Sequence, residues 1–312
     1  MSRILVAGGA GLLGSGICER LLGRGDEVVC VDNLVTGSKV NVEALLDRPG
    51  MTFVEADVCG HLPDEGHLDA VVNMACPASP VDFEALSLEI MEVGSRGVAN
   101  LLEVARRHGA RFLQASTSEI YGEPQIHPQP ESYWGNVNPV GPRSVYDEAK
   151  RFGEALTMAH HRRYGTDVRI ARIFNTYGPR MRADDGRVVS NFVTQALQGR
   201  PLTIYGDGSQ TRSFCYVDDE VDGLLALLDS ECTGPVNVGN DTETAVGDVA
   251  KLVLELTGST SELVYLDLPE DDPTQRRPDL SLARTVLGWQ PTTSLEDGLA
   301  HTIEWFRHRL NA

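Results

Sequence analysis

The sequence predicts an α/β fold built on a doubly wound parallel sheet, with a smaller C-terminal α/β lobe. Short, mainly apolar runs, of which residues 4–7 are apolar throughout, alternate with longer stretches of helical periodicity up to about residue 173. Hydrophobic residues make up 41% of the 312 residues, which is enough for a large core. Continuous apolar strands are typical of parallel sheets whose two faces are both covered by helices.

The predicted elements follow this alternation along the chain. Strands are predicted at residues 4–7, 28–31, 52–54, 70–72, 111–115 and 168–173, and further along at 201–205 and 235–238. Helices are predicted at residues 12–22, 86–107, 146–164 and 189–198. A capping box at Ser294–Asp297 predicts the start of a last helix, whose apolar face carries Leu299, Ile303, Phe306 and Leu310.

The alternation of strands and helices becomes irregular after Asn175, and Gly, Pro and Arg are concentrated in residues 176–186. We therefore expect two lobes that share a cleft. Residues 1–175 are expected to form the sheet domain, with a return of the chain to it at about 210–243. Residues 176–312 are expected to form mainly the second lobe.

Composition excludes several classes of function. The formal net charge of −18 argues against nucleic acid or an anionic membrane as a partner, because both need a basic face. The six cysteines form no C-x-x-C pair and the eight histidines show no ligand spacing, so no metal is predicted. No apolar run approaches the length of a membrane span, and we expect a cytoplasmic protein. An anionic ligand would need a local cluster of arginines.

A glycine-rich turn joins the first predicted strand to the first predicted helix. Gly8, Gly11 and Gly14 are spaced G-x-x-G-x-x-G, and Leu12 and Leu13 open the helix. Such glycines allow a tight turn, a close approach of pyrophosphate and close packing of helix on strand. The amino end of the helix supplies N–H donors to the anion. The turn therefore predicts a dinucleotide site of the Rossmann type.

An acidic residue at the end of the second strand specifies the cofactor further. Asp32 lies 18 residues after Gly14, where a carboxylate accepts hydrogen bonds from the ribose hydroxyls. It would repel a 2′-phosphate, and Asn33 and Leu34 offer no cation to offset that repulsion. The sequence therefore predicts NAD rather than NADP. Asp57, at the end of the third strand, is expected either at the adenine edge or in an ordinary turn.

A tyrosine and a lysine point to oxidation of a hydroxyl group. Tyr146 and Lys150 are four residues apart on a predicted helix, so both side chains lie on one face. An ammonium beside a phenol is expected to lower the pKa of the phenol toward neutrality, which makes it a base. Residues 116–119, Ser-Thr-Ser-Glu, follow a strand at the sheet edge where α/β proteins bind ligands. Hydroxyls there can hold a sugar oxygen, and a carboxylate can steer a proton.

These motifs resemble the extended short-chain dehydrogenase/reductase family, of the NAD-dependent epimerase/dehydratase type, whose members act on nucleotide sugars. The general resemblance is carried by residues 8–14, 32–37, 57–58, 117–119, 146–150 and 175–179. Within the family the chain is most similar to the UDP-glucuronate decarboxylases, through residues 77–80, 133–139, 186–192, 208–212 and 276–279. The similarity runs nearly end to end.

The resemblance implies NAD-dependent decarboxylation of UDP-glucuronic acid to UDP-xylose through a UDP-4-keto intermediate. Tyr146 would take the proton of the C4 hydroxyl while hydride passes to NAD. The carboxylate is then β to a ketone and can leave as CO₂, with its electrons delocalised into the enolate. Protonation at C5 and return of the hydride regenerate NAD.

The resemblance also implies roles for individual residues. Thr117 is expected to hold the C4 oxygen. Ser118 and Glu119 are expected to assist loss of CO₂ or to deliver a proton through water. Arg276 is expected to steer the carboxylate or to grip the diphosphate. Further substrate contacts are expected at Pro80, Asn175, Val189, Tyr205 and Arg212, and further cofactor contacts at Asn33, Thr36, Gly37, Asp57, Val58, Ala75, Thr176, Arg182 and Arg187.

The chain departs from the decarboxylase pattern at three positions near the expected site. Asn73 stands where these enzymes usually have histidine, Phe83 replaces a tyrosine, and Gly94 replaces an asparagine. The alternatives are a UDP-glucuronate 4-epimerase, another epimerase or dehydratase, and a non-enzymatic protein that binds NAD or nucleotide sugars. Ser118 disfavours a 4,6-dehydratase, because dehydratases of this family have an aspartic acid at that position. The resemblance further implies a homodimer in which residues 86–107 and 146–164 pair across a two-fold axis.

Overall fold

A computed structural model describes residues 1–62, 66–268 and 271–310. Its strands are β1 Arg3–Ala7, β2 Glu27–Asp32, β3 Met51–Glu55, β4 Ala70–Asn73, β5 Arg111–Thr117, β6 Val168–Ile173, β7 Thr176–Tyr177, β8 Leu202–Tyr205, β9 Thr211–Ser213, β10 Cys215–Tyr216, β11 Pro235–Val238, β12 Glu243–Ala245, β13 Leu263–Leu266 and β14 Gln275–Arg276. Its α-helices are α1 Leu12–Gly23, α2 Ser87–Glu92, α3 Val98–His108, α4 Ser144–Tyr164, α5 Val188–Leu197, α6 Val217–Asp229, α7 Val246–Thr257, α8 Ser281–Leu287 and α9 Leu295–Leu310.

Seven of these strands form one parallel sheet in the order β3-β2-β1-β4-β5-β6-β11. In β1, Ile4 and Val6 pack into one core, whereas Leu5 and Ala7 pack into another on the opposite face. Both faces of the sheet are therefore covered, and the predicted doubly wound α/β fold is confirmed. The strand order reverses between β1 and β4, and ligands of such sheets bind at the carboxyl ends beside this reversal.

Smaller sheets lie outside the main one. β9 pairs with β12 and β14, and β8 pairs with β13. In the parallel pairing of β9 with β14, Arg212 lies directly opposite Arg276. Two arginines that the sequence places 64 residues apart are therefore neighbours on one small sheet.

The helix predicted at residues 86–107 is not regular throughout. A π-helical segment, Val93–Gly97, separates α2 from α3. At its second residue, Gly94, a Cβ atom would lie 2.6 Å from the Cβ of Ala149 on α4. The predicted helical stretch is confirmed, and it contains a π-helical bulge where it meets α4. Gly94 leaves the space that the Ala149 methyl occupies.

Other predicted elements begin and end close to the expected residues. At the start of α9, the Ser294 hydroxyl accepts a hydrogen bond from the Asp297 N–H at 3.1 Å, which is the predicted cap. In the described part of the chain, none of the helices combines the length and apolar character needed to cross a membrane.

A buried acid in α6 makes the stability of the fold depend on pH. Glu220 is completely buried, and burial raises its pKa from 4.5 to about 8. Between these two values the folded chain keeps a proton that the unfolded chain has lost, so stability falls as pH rises. The slope from this group approaches about 1.4 kcal/mol per pH unit. We expect Glu220→Gln to remove this slope, as measured by thermal unfolding between pH 5 and 8.

The matched control is Asp218→Asn, on the same turn of α6, whose carboxylate is largely exposed. Its unfolding temperature should follow that of the unmodified chain at every pH. If the unfolding temperatures of Glu220→Gln and of the unmodified chain depend on pH in the same way, Glu220 is not the source of the pH dependence.

Candidate active site

The turn between β1 and α1 has no room for side chains at two of its glycines. Gly8 has φ of 72°, and a Cβ atom there would lie 2.7 Å from the backbone nitrogen of Ala75. A Cβ atom on Gly14 would lie 2.1 Å from the carbonyl oxygen of Gly8. Leu12 and Leu13 form the first turn of α1 and are half-buried. The turn therefore brings backbone, rather than side chains, to the carboxyl end of β1.

Asp32 is fixed at the end of β2 by backbone donors. One carboxylate oxygen accepts from the Ala10 N–H at 2.9 Å and the other from the Leu34 N–H at 2.8 Å. Burial raises the pKa of Asp32, and the two hydrogen bonds offset only part of that increase. A Cβ atom on Gly37 would lie 2.7 Å from this carboxylate, so only glycine lets the loop approach it.

An open groove runs along these elements. The predicted cofactor residues that line it are Gly8, Gly11, Asp32, Asn33, Thr36, Gly37, Asp57, Val58 and Ala75. Asp57 accepts from the Cys59 N–H at 2.7 Å and from the Asn33 amide at 3.2 Å, so it stabilises a turn while it faces the groove. A backbone cradle beside a fixed carboxylate fits the pyrophosphate and ribose of NAD.

Tyr146 and Lys150 lie next to this groove on α4. Both are buried, and the Lys150 Nζ atom lies 5.6 Å from the centre of the Tyr146 ring. The Lys150 ammonium donates a hydrogen bond to the Ala115 carbonyl oxygen at 3.0 Å. Phe83 stacks on Tyr146 with ring centres 5.1 Å apart, and this contact fixes the plane of the phenol.

The pKa of Tyr146 does not follow the prediction. Burial raises it well above its usual value, and Cys76 adds to that effect. A hydrogen bond with Thr117 and the charge of Arg187 act in the opposite direction. The predicted lowering toward neutrality is therefore wrong for this structure, because desolvation of the phenolate outweighs the nearby cations.

Glu119 lies between two arginines. It accepts a hydrogen bond from Arg143 at 2.8 Å and from Arg276 at 3.4 Å, and Arg276 also donates to the Ser118 carbonyl at 2.7 Å. Burial raises the pKa of Glu119, but Arg276, Arg143 and Arg212 together lower it to about 2. Glu119 is therefore a carboxylate at neutral pH. Both of its expected roles, assistance to the loss of CO₂ and delivery of a proton through water, stay predictions.

A second carboxylate completes a cluster of charges. Asp272 accepts a hydrogen bond from Arg212 at 2.9 Å and lies 3.6 Å from Arg143. Three arginines therefore surround two carboxylates, and the cluster has an excess of positive charge. Arg276 at its centre is only 1% exposed. The acidic chain thus has the local cluster of arginines that an anionic ligand is expected to need.

Two residues of this region carried no signal in the sequence. Arg143 belongs to none of the predicted motifs, yet it contacts both carboxylates and lies over the Phe83 ring, 5.7 Å from its centre. Asp147 is buried beside Tyr146, and burial together with the charge of Glu119 raises its pKa to about 7. The side chains of both are positioned by folding of the loop before α4 against the turn after β5.

Arg182 and Arg187 lie apart from the groove predicted for them. Arg182 donates to Asp82 at 2.7 Å, and Arg187 is paired with Asp185 at 2.9 Å. Ser79 donates a short hydrogen bond to the Asp185 carbonyl, which joins this loop to the turn that Pro80 begins. The charge of Arg187 nevertheless acts on Tyr146. Arg182 therefore connects this loop to the turn that carries Asp82, whereas the ion pair of Arg187 lies within its own loop.

The remaining predicted residues differ in accessibility. Thr176 and Val189 are buried, so the Val189 side chain belongs to the core. The Asn175 carbonyl accepts from the Cys215 N–H at 2.8 Å. Tyr205, at the end of β8, is exposed.

The departure at Asn73 is accommodated by a local network. Its side-chain amide donates to Gln114 at 3.0 Å, and its oxygen accepts from the Ala75 N–H at 3.2 Å. Both polar side chains are buried, so these hydrogen bonds offset their desolvation. Asn73 therefore supports the strand end at the groove and does not disturb it.

The model of the NAD dependent epimerase/dehydratase family matches residues 4–239. The chain belongs to this family. UDP-glucuronic acid decarboxylase 3 of Arabidopsis thaliana is 49% identical over 310 residues, which cover 99% of this chain and 90% of that protein. UDP-glucuronic acid decarboxylase 1 of Xenopus tropicalis is 47% identical over 308 residues, covering 99% of this chain and 73% of that protein.

A solved structure of the family shows the fold with ligands. UDP-glucuronic acid 4-epimerase from Bacillus cereus, in complex with UDP-glucuronic acid and NAD, superposes with a TM-score of 0.88. It is 28% identical, and the alignment covers 98% of this chain and 99% of that one. NAD is the cofactor of the family, and the glycine-lined groove beside Asp32 is the part of this chain that fits it.

Proposed function

We propose that the chain catalyses the NAD-dependent decarboxylation of UDP-glucuronic acid to UDP-xylose through a UDP-4-keto intermediate. The observation that carries the proposal is the buried cluster of Arg143, Arg212 and Arg276, which accompanies the Tyr146–Lys150 pair on one side of the NAD groove. UDP-glucuronic acid has a diphosphate and a carboxylate, and these anions match the arginines. The relatives at 47–49% identity are decarboxylases by name.

When bound, NAD supplies a hydride acceptor for C4 of the sugar and later returns the same hydride. Tyr146 is assigned as the base for the C4 hydroxyl, and because burial favours its neutral form, it must release its own proton before it takes that of the sugar. Thr117, at the end of β5, is assigned to hold the C4 oxygen. The C4 ketone then accepts the electrons of the C5–carboxylate bond, and CO₂ leaves. A proton adds at C5, so the sum of the steps is loss of CO₂ with no net redox change.

The arginines bind and orient the two anionic parts of the substrate. Arg212, with Asn175, is assigned to the diphosphate. Arg276 is assigned to the carboxylate, because it is held by the Ser118 carbonyl beside the turn that carries Glu119. Arginine suits both tasks, since its planar guanidinium forms paired hydrogen bonds with phosphate and carboxylate oxygens.

A UDP-glucuronate 4-epimerase is the alternative, and the Bacillus cereus structure with its bound UDP-glucuronic acid favours it. An epimerase must rotate the keto sugar before CO₂ escapes. Glu119, with the resemblance to decarboxylases around it, favours loss of CO₂.

The experiment is incubation of the purified chain with NAD and UDP-glucuronic acid, followed by mass spectrometry of the nucleotide sugars. We expect a UDP-pentose with release of CO₂. A UDP-hexuronate of unchanged mass, separated by chromatography from the substrate, would establish the epimerase instead. UDP-glucose, which has no carboxylate to lose, is the control substrate.

We also propose a homodimer formed through α2 and α4. Leu88 on α2 is 78% exposed and Phe152 on α4 is 50% exposed, and Met91 on α2 is also exposed. Helix surfaces with such large apolar side chains are typical of association sites. Sedimentation should therefore give about twice the chain mass of 33.9 kDa.

Phe152→Arg is expected to shift the protein to the monomer, because the charge would be buried at the interface. Val286→Arg, on the exposed surface of α8, is the control and should leave the dimer intact. A dimer that survives Phe152→Arg and Leu88→Arg together would refute this arrangement.

A further inference from the structure

The Arg212 guanidinium already has a carboxylate partner within the chain. Its Nη2 atom donates to Asp272 at 2.9 Å, and the other Asp272 oxygen lies 3.6 Å from Arg143. The side chain of Arg212 is nearly buried, whereas that of Asp272 is about one-quarter exposed. A buried guanidinium is stable only with partners: the Thr211 carbonyl accepts a hydrogen bond from Arg212 at 2.9 Å, and Asp272 is the anion that balances its charge.

A diphosphate would need the same donors. Phosphate oxygens and carboxylate oxygens form the same charge-assisted hydrogen bonds with a guanidinium. Two anions at one guanidinium also repel each other, since like charges placed together at an interface are strongly unfavourable. Asp272 and the diphosphate therefore compete for Arg212 and Arg143.

The neighbouring acid differs from Asp272 in its surroundings. Asp271 has φ of 59° and its carboxylate accepts a hydrogen bond from the Asn138 side chain at 3.0 Å. Within the described residues, Asp271 forms no ion pair with Arg143 or Arg212, whereas Asp272 pairs with both. A comparison of substitutions at these two adjacent aspartates therefore distinguishes the effect of direct contact with the arginines from the effect of charge alone.

We propose that Asp272 is a resident counterion of Arg212 and Arg143 that the diphosphate of the nucleotide sugar displaces. Asp272 thereby weakens binding of substrate and product, and it returns to the arginines when the product leaves. This inference rests on the proposed nucleotide-sugar site and adds the residue that sets its affinity. The inference holds whether the sugar is decarboxylated or epimerised at C4.

The test is isothermal titration of the NAD-loaded protein with UDP, which carries the diphosphate and undergoes no reaction. Asp272→Asn keeps the size of the side chain and removes its charge. We expect UDP to bind on the order of tenfold more tightly to this variant, and the KM for UDP-glucuronic acid to fall with it. Asp271→Asn removes a charge from the adjacent position and should change the affinity for UDP by less than about twofold.

Unchanged or weaker binding of UDP to Asp272→Asn would overturn the proposal, since Asp272 would then serve only to orient Arg212. Thermal unfolding checks that the variant is folded, and Asp272→Ser replaces it in the comparison if it is not. Asp272→Glu retains the charge and should bind UDP as the unmodified chain does. UDP that binds while UDP-glucuronic acid is not decarboxylated would refute the proposed reaction and leave this inference standing.

Discussion

Tyr146→Phe is expected to lower kcat roughly 10²–10⁴-fold while NAD and UDP remain bound. The substitution removes only the phenolic oxygen that takes the C4 proton. The ring that stacks on Phe83 stays, so the packing around it is preserved. Release of CO₂ measures turnover, and titration with NAD and UDP measures binding.

Tyr177→Phe is the matched control. Tyr177 is also buried, and its hydroxyl donates a long hydrogen bond of 3.3 Å to the Leu295 carbonyl, away from the arginine cluster. Its loss should cost some stability and little activity. Normal turnover by Tyr146→Phe would refute the assignment of Tyr146 as the base.

Glu119→Gln is expected to slow loss of CO₂ about a hundredfold and C4 oxidation much less. The Glu119 carboxylate balances the charges of Arg143 and Arg276, which hold its pKa near 2. A neutral amide no longer balances the positive charge of Arg276. Arg276 then binds the substrate carboxylate more strongly, and this stabilises the 4-keto acid relative to the transition state for loss of CO₂. The 4-keto acid should accumulate.

A single-turnover experiment separates these two steps. Absorbance of the reduced nicotinamide follows C4 oxidation, and quenched samples give the amount of CO₂ released. Glu123→Gln is the control, because Glu123 lies close to Glu119 in the sequence but accepts hydrogen bonds from Thr274 at the surface. Equal slowing of both steps in Glu119→Gln would contradict this role.

The sequence was sufficient for features that depend on local pattern. The six strands predicted before residue 175 could be located because most of them are short runs dominated by apolar residues, as expected for strands covered on both faces. The turn at Gly8–Gly14 could be predicted because its glycine spacing reflects a local backbone requirement. Asp32 stands at a strand end that the same pattern locates.

Features that depend on distant pairing could not be predicted. The Asp272 contacts with Arg143 and Arg212 join three separate parts of the chain. The π-helical segment at Gly94 depends on the methyl group of Ala149. The spacing of Tyr146 and Lys150 predicts a shared helix face, but it contains no information about burial, which decides the pKa of the phenol.

The pairing of β9 with β14 has a consequence for the length of ligand that the site accepts. Arg212 and Arg276 are partners in register on strands about 4.8 Å apart. A shift of one residue in β14 would turn the Arg276 side chain to the opposite face. Under the proposed assignments, this register therefore sets the distance between the diphosphate held by Arg212 and the acid group held by Arg276.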